Sequence, residues 1–279
     1  MRKKPLIIIG MHRSGTSLLA GILHKCGIFM GARRDNHNES WFFKRKNQYI
    51  FSLAHAGWDN PEPVKYLIKN RELQLELTAL LRDELTSLKF LLDYWGMARS
   101  LKLRSPLQAN EAWGWKDPRN SYTLPIWLDI FPNAKVIHVY RNGIDVASSL
   151  MQREQRRRNK LHNPLLSCRC MELNSAFALW AEYVTTCLAV IDSLPDKLTM
   201  QIKYEDFLEE PGIYVKKIAR VLEIQLDEMI VAKAISEVQP KRAYAFWSDP
   251  ALEQLYENEH SHPLMERLGY NKLTPTSRY

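Results

Sequence analysis

The chain has 279 residues, a formal net charge of +8 and a pI near 9.2, with 46% hydrophobic and 25% charged residues. That balance excludes an intrinsically disordered chain, and the length fits one large domain, since single cores stop growing near roughly 250–300 residues. The surplus of cations favours polyanions (nucleotide, nucleic acid, acidic glycan or membrane surface) without choosing among them.

The first predicted element is a strand over Pro5 to Gly10. Its apolar run, Leu6 to Ile9, is far shorter than the ~20 residues that span a bilayer and than a signal-peptide core of about 7–15. No transmembrane or export segment is expected. The four cysteines, Cys26, Cys168, Cys170 and Cys187, lack C-x-x-C spacing and a zinc-type histidine pattern. Reduced thiols and a cytoplasmic location are the expectation.

After the strand comes Gly10-Met11-His12-Arg13-Ser14-Gly15-Thr16-Ser17. This keeps the glycines and final hydroxyl of the Walker A pattern, but Thr16 stands where its lysine reaches the β/γ-phosphates. The cation has moved to Arg13. Such a loop can still seat a phosphate on the N-terminus of the helix beginning near Ser14, which Gly27 ends after Cys26. It lacks the part dedicated to a γ-phosphate.

From Asp35 to about Ser105 the pattern is helical, with Leu73, Leu77, Leu80, Leu81 and Leu85 expected as a buried stripe. This insert (35–105) is the expected acceptor side. Within it, Leu91-Leu92-Asp93 imitates a Walker B ending in helical surroundings. Further strands are predicted over Ala112 to Lys116, Lys135 to Tyr140 and Leu198 to Tyr204, with helices over Gly143 to Arg158, Met171 to Leu194 and Tyr214 to Leu222. Alternating short strands and long helices predict a three-layer α/β fold around a parallel sheet of about four to five strands, P-loop-like, in a single domain over 1–279. The tail, 239–279, is expected as a cover over cofactor or acceptor.

The third strand ends in Arg141-Asn142-Gly143-Ile144-Asp145-Val146-Ala147-Ser148-Ser149, where a nucleotide hydrolase would want a magnesium-binding aspartate. Ser149 lies about two helical turns beyond Arg141, so both can face one anion. Two anion sites at two strand ends suit a nucleotide phosphorylated in two places. The bland alternative is that Arg141 merely pairs with Asp145 one turn on.

At this point the residues resemble the sulfotransferases that use 3′-phosphoadenosine 5′-phosphosulfate (PAPS). Arg13-Ser14-Gly15-Thr16-Ser17 is similar to the loop that holds the 5′-phosphosulfate, and Arg141, Asn142, Asp145, Val146 and Ser149 to the motif that holds the 3′-phosphate. Lys203-Tyr204-Glu205-Asp206-Phe207, followed by Glu210-Pro211, resembles the family's strand-ending Y-E-D segment. Gly114-Trp115-Lys116-Asp117-Pro118-Arg119 looks like the K-D-P segment of tyrosylprotein-type and bacterial carbohydrate-type members. Pro118 stands where cytosolic members carry a catalytic histidine, so that base is not carried over.

The resemblance implies a donor, PAPS, and a product, PAP, bound by Arg13, Ser14, Gly15, Thr16, Ser17, Arg141, Ser149 and Tyr204. It implies a small-molecule or glycan acceptor and no metal, because fixed cations, Arg13 and Lys116, meet the leaving phosphate. Glu39 is the candidate proton acceptor, with Asp117, His12 and His55 as rivals; Glu205 is expected to tie a loop to a backbone N–H. The run Arg153, Arg156, Arg157, Arg158 and Lys160 reads as a solvated helix end or, more sharply, as a landing strip for an acidic glycan or phospholipid near the cofactor, a peripheral contact with an anionic surface. Trp41, Trp58, Trp95, Trp113 and Trp115 read as core, with some open to stacking on a ligand ring. Nucleic acid is not expected as a partner. The competing readings are a P-loop nucleotide kinase and a non-catalytic polyanion-binding protein. Oligomeric state is not legible.

Overall fold

A computed structural model describes residues 3–101, 110–160, 167–240 and 243–275. The last residues of the expected insert, 102–105, and parts of the tail, 241–242 and 276–279, lie outside the described residues. Four strands, β1 (Leu6–Ile9), β2 (Gly114–Lys116), β3 (Lys135–Tyr140) and β4 (Thr199–Lys203), form one parallel sheet in the order β2-β1-β3-β4. β1 pairs through Ile7 with Trp115 on one side and with Val136 on the other. The chain therefore leaves β1 toward β2 and later crosses back over it to β3, which opens a crevice at the carboxyl ends of the strands.

In chain order the helices are α1 (Thr16–Lys25), α2 (Trp41–Leu53), α3 (Val64–Lys69), α4 (Arg71–Glu84), α5 (Leu88–Phe90) and α6 (Gly96–Ser100). There follow α7 (Asn120–Ile130), α8 (Gly143–Arg158), α9 (Leu173–Ser193), α10 (Tyr204–Glu209), α11 (Pro211–Val221), α12 (Glu228–Ile235), α13 (Pro250–Glu259) and α14 (Pro263–Arg267). Because successive strand residues face opposite sides, β1 splits its side chains between two cores. Ile7 and Ile9 pack with residues of α2, α4, α7, α8 and α9, whereas Leu6 and Ile8 pack with α1, α11 and α12. The expected three layers are what the chain builds.

α9 is long and apolar enough to cross a bilayer, but here its apolar side chains, Phe177, Trp180, Tyr183, Val184, Cys187 and Leu188, are buried in the core against α8 and β3. The expected leucine stripe of α4 needs correction. Leu77, Leu81 and Leu85 are buried, but Leu73 and Leu80 are each 44% exposed. The buried face turns instead through Gln74 and Thr78, because Gln74 reaches Asp129 at 3.0 Å and Thr78 closes on the Gln74 carbonyl at 2.8 Å. Leu91–Trp95 is a π-helical turn rather than a strand end, and it buries Asp93 against Arg33 and Arg45. Trp95, Trp113 and Trp115 are core; Trp41 is 43% exposed and Trp58 half-buried.

Candidate active site

All four strands end at one cavity of about 660 Å³. β1 delivers the Gly10–Ser17 loop, β2 ends on Lys116, β3 runs into Arg141 and β4 into Tyr204. Among the described residues, six cationic side chains line the cavity, Arg13, Lys44, Lys116, Arg119, Arg141 and Arg153, against one carboxylate, Glu39.

Two glycines make the loop after β1. At Gly10 (φ 140°) a Cβ would lie 2.2 Å from the Val139 carbonyl oxygen, and at Gly15 (φ 90°) 2.1 Å from the Tyr204 ring, so neither position admits a side chain. Arg13 also takes a left-handed conformation (φ 71°), and successive N–H groups bent in this way make an anion-binding concavity. α1 starts at Thr16 with no acid in its first turn, leaving the positive end of its dipole uncancelled. The Ser14 hydroxyl is buried and has no hydrogen-bond partner among the described residues. An unpaired buried hydroxyl in such a concavity fits an incoming oxyanion.

The loop and α8 meet through Arg13, whose Nε donates to Ser149 Oγ at 2.8 Å. Burial and the facing charges of Arg153 and Arg141 pull the Arg13 pKa below its usual value. Arg141 is set more deeply. It forms the anticipated one-turn ion pair with Asp145 at 3.0 Å while still lining the cavity and lying 5.0 Å from the Tyr204 ring centroid. The ion pair with Asp145 therefore does not take Arg141 out of the cavity wall. Burial opposes its charge, but Asp145 and Glu205 outweigh burial and keep it protonated. Asn142 caps α8 by accepting from the Ile144 and Asp145 amides, and its own N–H donates to Glu205 Oε1 at 3.0 Å. Glu205 accepts from Tyr270 as well (2.7 Å), and the Phe246 amide donates to Asp145 (3.0 Å), so the tail docks on this turn; Ala245 beside it lines the cavity.

Lys116 is 1% exposed. Its Nζ contacts Glu39 Oε1 at 3.0 Å and Ser17 Oγ at 3.3 Å. Glu39 also meets Lys44 at 3.4 Å, and Lys44 in turn pairs with Asp35 at 2.5 Å. Burial opposes the Lys44 charge, but these two carboxylates raise its pKa above the usual lysine value.

The three rivals of Glu39 separate by position. Asp117 is fully buried and turned to Arg119, whose amide donates to it at 2.9 Å and whose Nη1 lies 3.1 Å away; it does not line the cavity. His55 is exposed and lies away from the cavity. His12 lines it, and burial followed by Arg119, Arg153 and Lys116 lowers its pKa well below 6.5, so the ring is neutral at pH 7.

Arg119, His37, Lys44 and Gln48 were not anticipated as site residues. Lys44 and Gln48 stand four apart on α2 and so share a face, a spacing visible in the sequence once the α2 register is known. Arg153 departs from the solvated-run reading, because it turns into the cavity while Arg156 and Arg158 stay exposed.

A family model described as "Sulfotransferase family" matches residues 5–228. The chain belongs to the sulfotransferase family. Among solved structures, a sulfotransferase from Alicyclobacillus acidocaldarius is similar over 100% of both chains at 15% identity, with a TM-score of 0.54. The sulfotransferase domain of the curacin biosynthetic pathway is similar over 92% of this chain and 97% of its own (14% identity, TM-score 0.51). A mouse sulfotransferase complexed with PAP is similar over 96% and 88% (13% identity, TM-score 0.51). At these identities the likeness is one of fold. No curated protein matches the sequence. Membership in the family sets aside the kinase reading, in accord with the arginine that β3 supplies in place of a metal-binding acid.

Proposed function

We propose that this sulfotransferase moves a sulfonyl group from PAPS to a hydroxyl or amine of a carbohydrate, glycolipid or small metabolite. The observation that carries the reading is the meeting of four strand ends in one cavity where, among the described residues, six cations face a single carboxylate. PAPS, when bound, supplies the sulfonyl group on its 5′-phosphate. Ser14, Gly15, Thr16 and Ser17 with the loop amides would hold that 5′ end, while Arg141 and Ser149 would hold the 3′-phosphate and Tyr204 would wall the space between. That the mouse relative is complexed with PAP supports the same choice of nucleotide.

Glu39 accepts the proton of the acceptor hydroxyl as the new oxygen–sulfur bond forms. The bond from sulfur to the 5′-phosphate oxygen breaks, and its electron pair stays on that phosphate. Lys116 couples the two ends: once Glu39 is neutralised by the proton, the Lys116 charge it had balanced is released toward the departing phosphate. Arg13 adds the second fixed cation, and such pre-positioned charges act most strongly where water is excluded. No metal is required by this scheme. The four cysteines are free thiols, which supports a proposed cytoplasmic location. The exposed end of α8 remains the proposed place for peripheral contact with anionic surfaces.

Calorimetric titration with PAP tests the reading. We expect magnesium-independent binding that weakens in Ser149→Ala and in Arg141→Ala. A preference for ATP with magnesium would sink it.

A further inference from the structure

Arg153 and His12 are among the cavity's polar groups that have no work in the scheme above. Arg153 donates through Nε to the buried Glu154 at 2.9 Å and lays its guanidinium 4.4 Å from the Trp58 ring centroid. Its Nη2 is buried and has no hydrogen-bond partner among the described residues. His12 packs edge-on against the same indole, with centroids 5.0 Å apart, and its Nε2 is also buried and unpartnered. Both residues and Trp58 line the cavity.

The backbone that carries the indole is held from behind. Tyr183 donates its hydroxyl to the Trp58 carbonyl at 2.8 Å, and Arg169 donates to the Asp59 carbonyl at 3.1 Å. Two buried nitrogens braced on a rigid ring make a pre-positioned pair, and buried polar atoms left unpaired in a cavity mark where a ligand's atoms belong. The chemistry of the pair selects an oxygen anion. A guanidinium N–H only donates, a neutral imidazole can donate from Nε2, and Glu39, the one carboxylate among the described residues that line the cavity, is engaged by Lys116 and Lys44. Burial, then Arg153, lowers the pKa of Arg13, and Arg153 also acts to lower that of His12, so the positive charge of Arg153 is felt at both neighbours despite its contact with Glu154.

We infer that Arg153 and His12, braced on Trp58, bind an oxyanion carried by the acceptor itself, so that the enzyme sulfonates molecules already bearing a carboxylate or an ester sulfate. The inference rests on the proposed transfer from PAPS. In that reading Arg153 is a specificity-determining residue outside the donor site.

The test uses the PAP-saturated full chain and three probes: methyl β-glucoside, methyl β-glucuronide and glucose 6-sulfate, titrated by ligand-observed NMR. The two anionic sugars are expected to bind at least tenfold more tightly than the glucoside, and the tighter of the two names the source of the oxyanion. Arg153→Gln should abolish that preference while PAP affinity stays within twofold, and Arg153→Lys should restore part of it. Because Arg153→Gln also strips Glu154 of a partner, Arg153→Gln/Glu154→Gln repeats the measurement with the buried charge removed. Equal or undetectable binding of all three sugars overturns the inference, as does a tenfold loss of PAP affinity in the Arg153 variants. Failure of PAP itself to bind overturns the proposed donor instead.

Discussion

The turns that follow β1 and β3 both bring an arginine to the cavity, but they hold it differently. After β1 the backbone is the site: two glycines and a left-handed Arg13 bend the amides inward, and the Arg13 side chain meets Ser149 across the cleft. After β3 side chains are the site. Asp145 pairs with Arg141, Glu205 fixes the turn through Asn142, and Tyr270 and Phe246 of the tail complete the net. Their charges respond in opposite directions, with the Arg13 pKa lowered and that of Arg141 raised. The β3 turn is thus balanced in advance and presents Arg141 already positioned for the 3′-phosphate it is proposed to hold, whereas the β1 loop carries charge that an arriving anion relieves.

The largest effect is expected where the prebuilt net is cut. Arg141→Ala leaves Asp145 and Glu205 buried without their cation, and losing one member of such a set costs about 3–5 kcal/mol. Urea unfolding should show this loss, and Arg141→Ala/Asp145→Asn should regain much of it. An Arg141→Ala protein as stable as wild type would break the contrast between the two turns.

Lys116→Ala comes next. Removing a fixed cation from the leaving-group side should lower kcat by about 10²–10³-fold with PAP affinity largely kept. Single-turnover kinetics beside calorimetry reads both. Turnover that survives would remove Lys116 from the leaving-group role. Glu39→Gln belongs with it, since full activity there would remove Glu39 as the proton acceptor.

The same contrast explains what the sequence could disclose. The β1 loop and the β3 turn are each contiguous, so Gly10, Arg13, Gly15, Arg141 and Ser149 carry their spacing in plain view. The sheet was equally legible, because buried parallel strands read as short apolar runs between helices. The opposite wall is assembled from distance. Lys116 and Glu39 are 77 residues apart, and Arg153 reaches Trp58 across 95 positions (153 − 58). Only packing brings such pairs together. Leu73 and Leu80 misled for a related reason, since the face of α4 is set by Gln74 and Asp129 rather than by apolar residues alone.

Each turn also has a histidine neighbour, which allows a pH test. His138, on β3, is fully buried, and burial lowers its pKa from 6.5 to about 4. Above pH 6.5 it is neutral folded or unfolded, so its contribution is fully present there. As pH falls from 6.5 toward 4 the unfolded chain takes up the proton first, and up to about 3 kcal/mol of stability is lost. His12, in the β1 loop, acts in the same direction, but part of its shift comes from Arg119, Arg153 and Lys116. Urea unfolding between pH 7 and 4 should therefore show a decline that His138→Gln and His12→Gln each flatten.

The smallest effect is expected at Arg13, and it is the sharpest test of the contrast. Among the described residues no carboxylate pairs with this guanidinium, so Arg13→Ala leaves no buried acid behind, and stability should stay within about 0.5 kcal/mol of wild type. PAP should bind about tenfold more weakly, a loss of about 1.4 kcal/mol, because the loop amides and the other cavity cations remain. The salt dependence of PAP binding should fall as well, since the charge removed is one that waits for the anion. If Arg13→Ala instead destabilises the fold as Arg141→Ala does, both arginines brace the fold, and the contrast between an open β1 loop and a prebuilt β3 turn is lost.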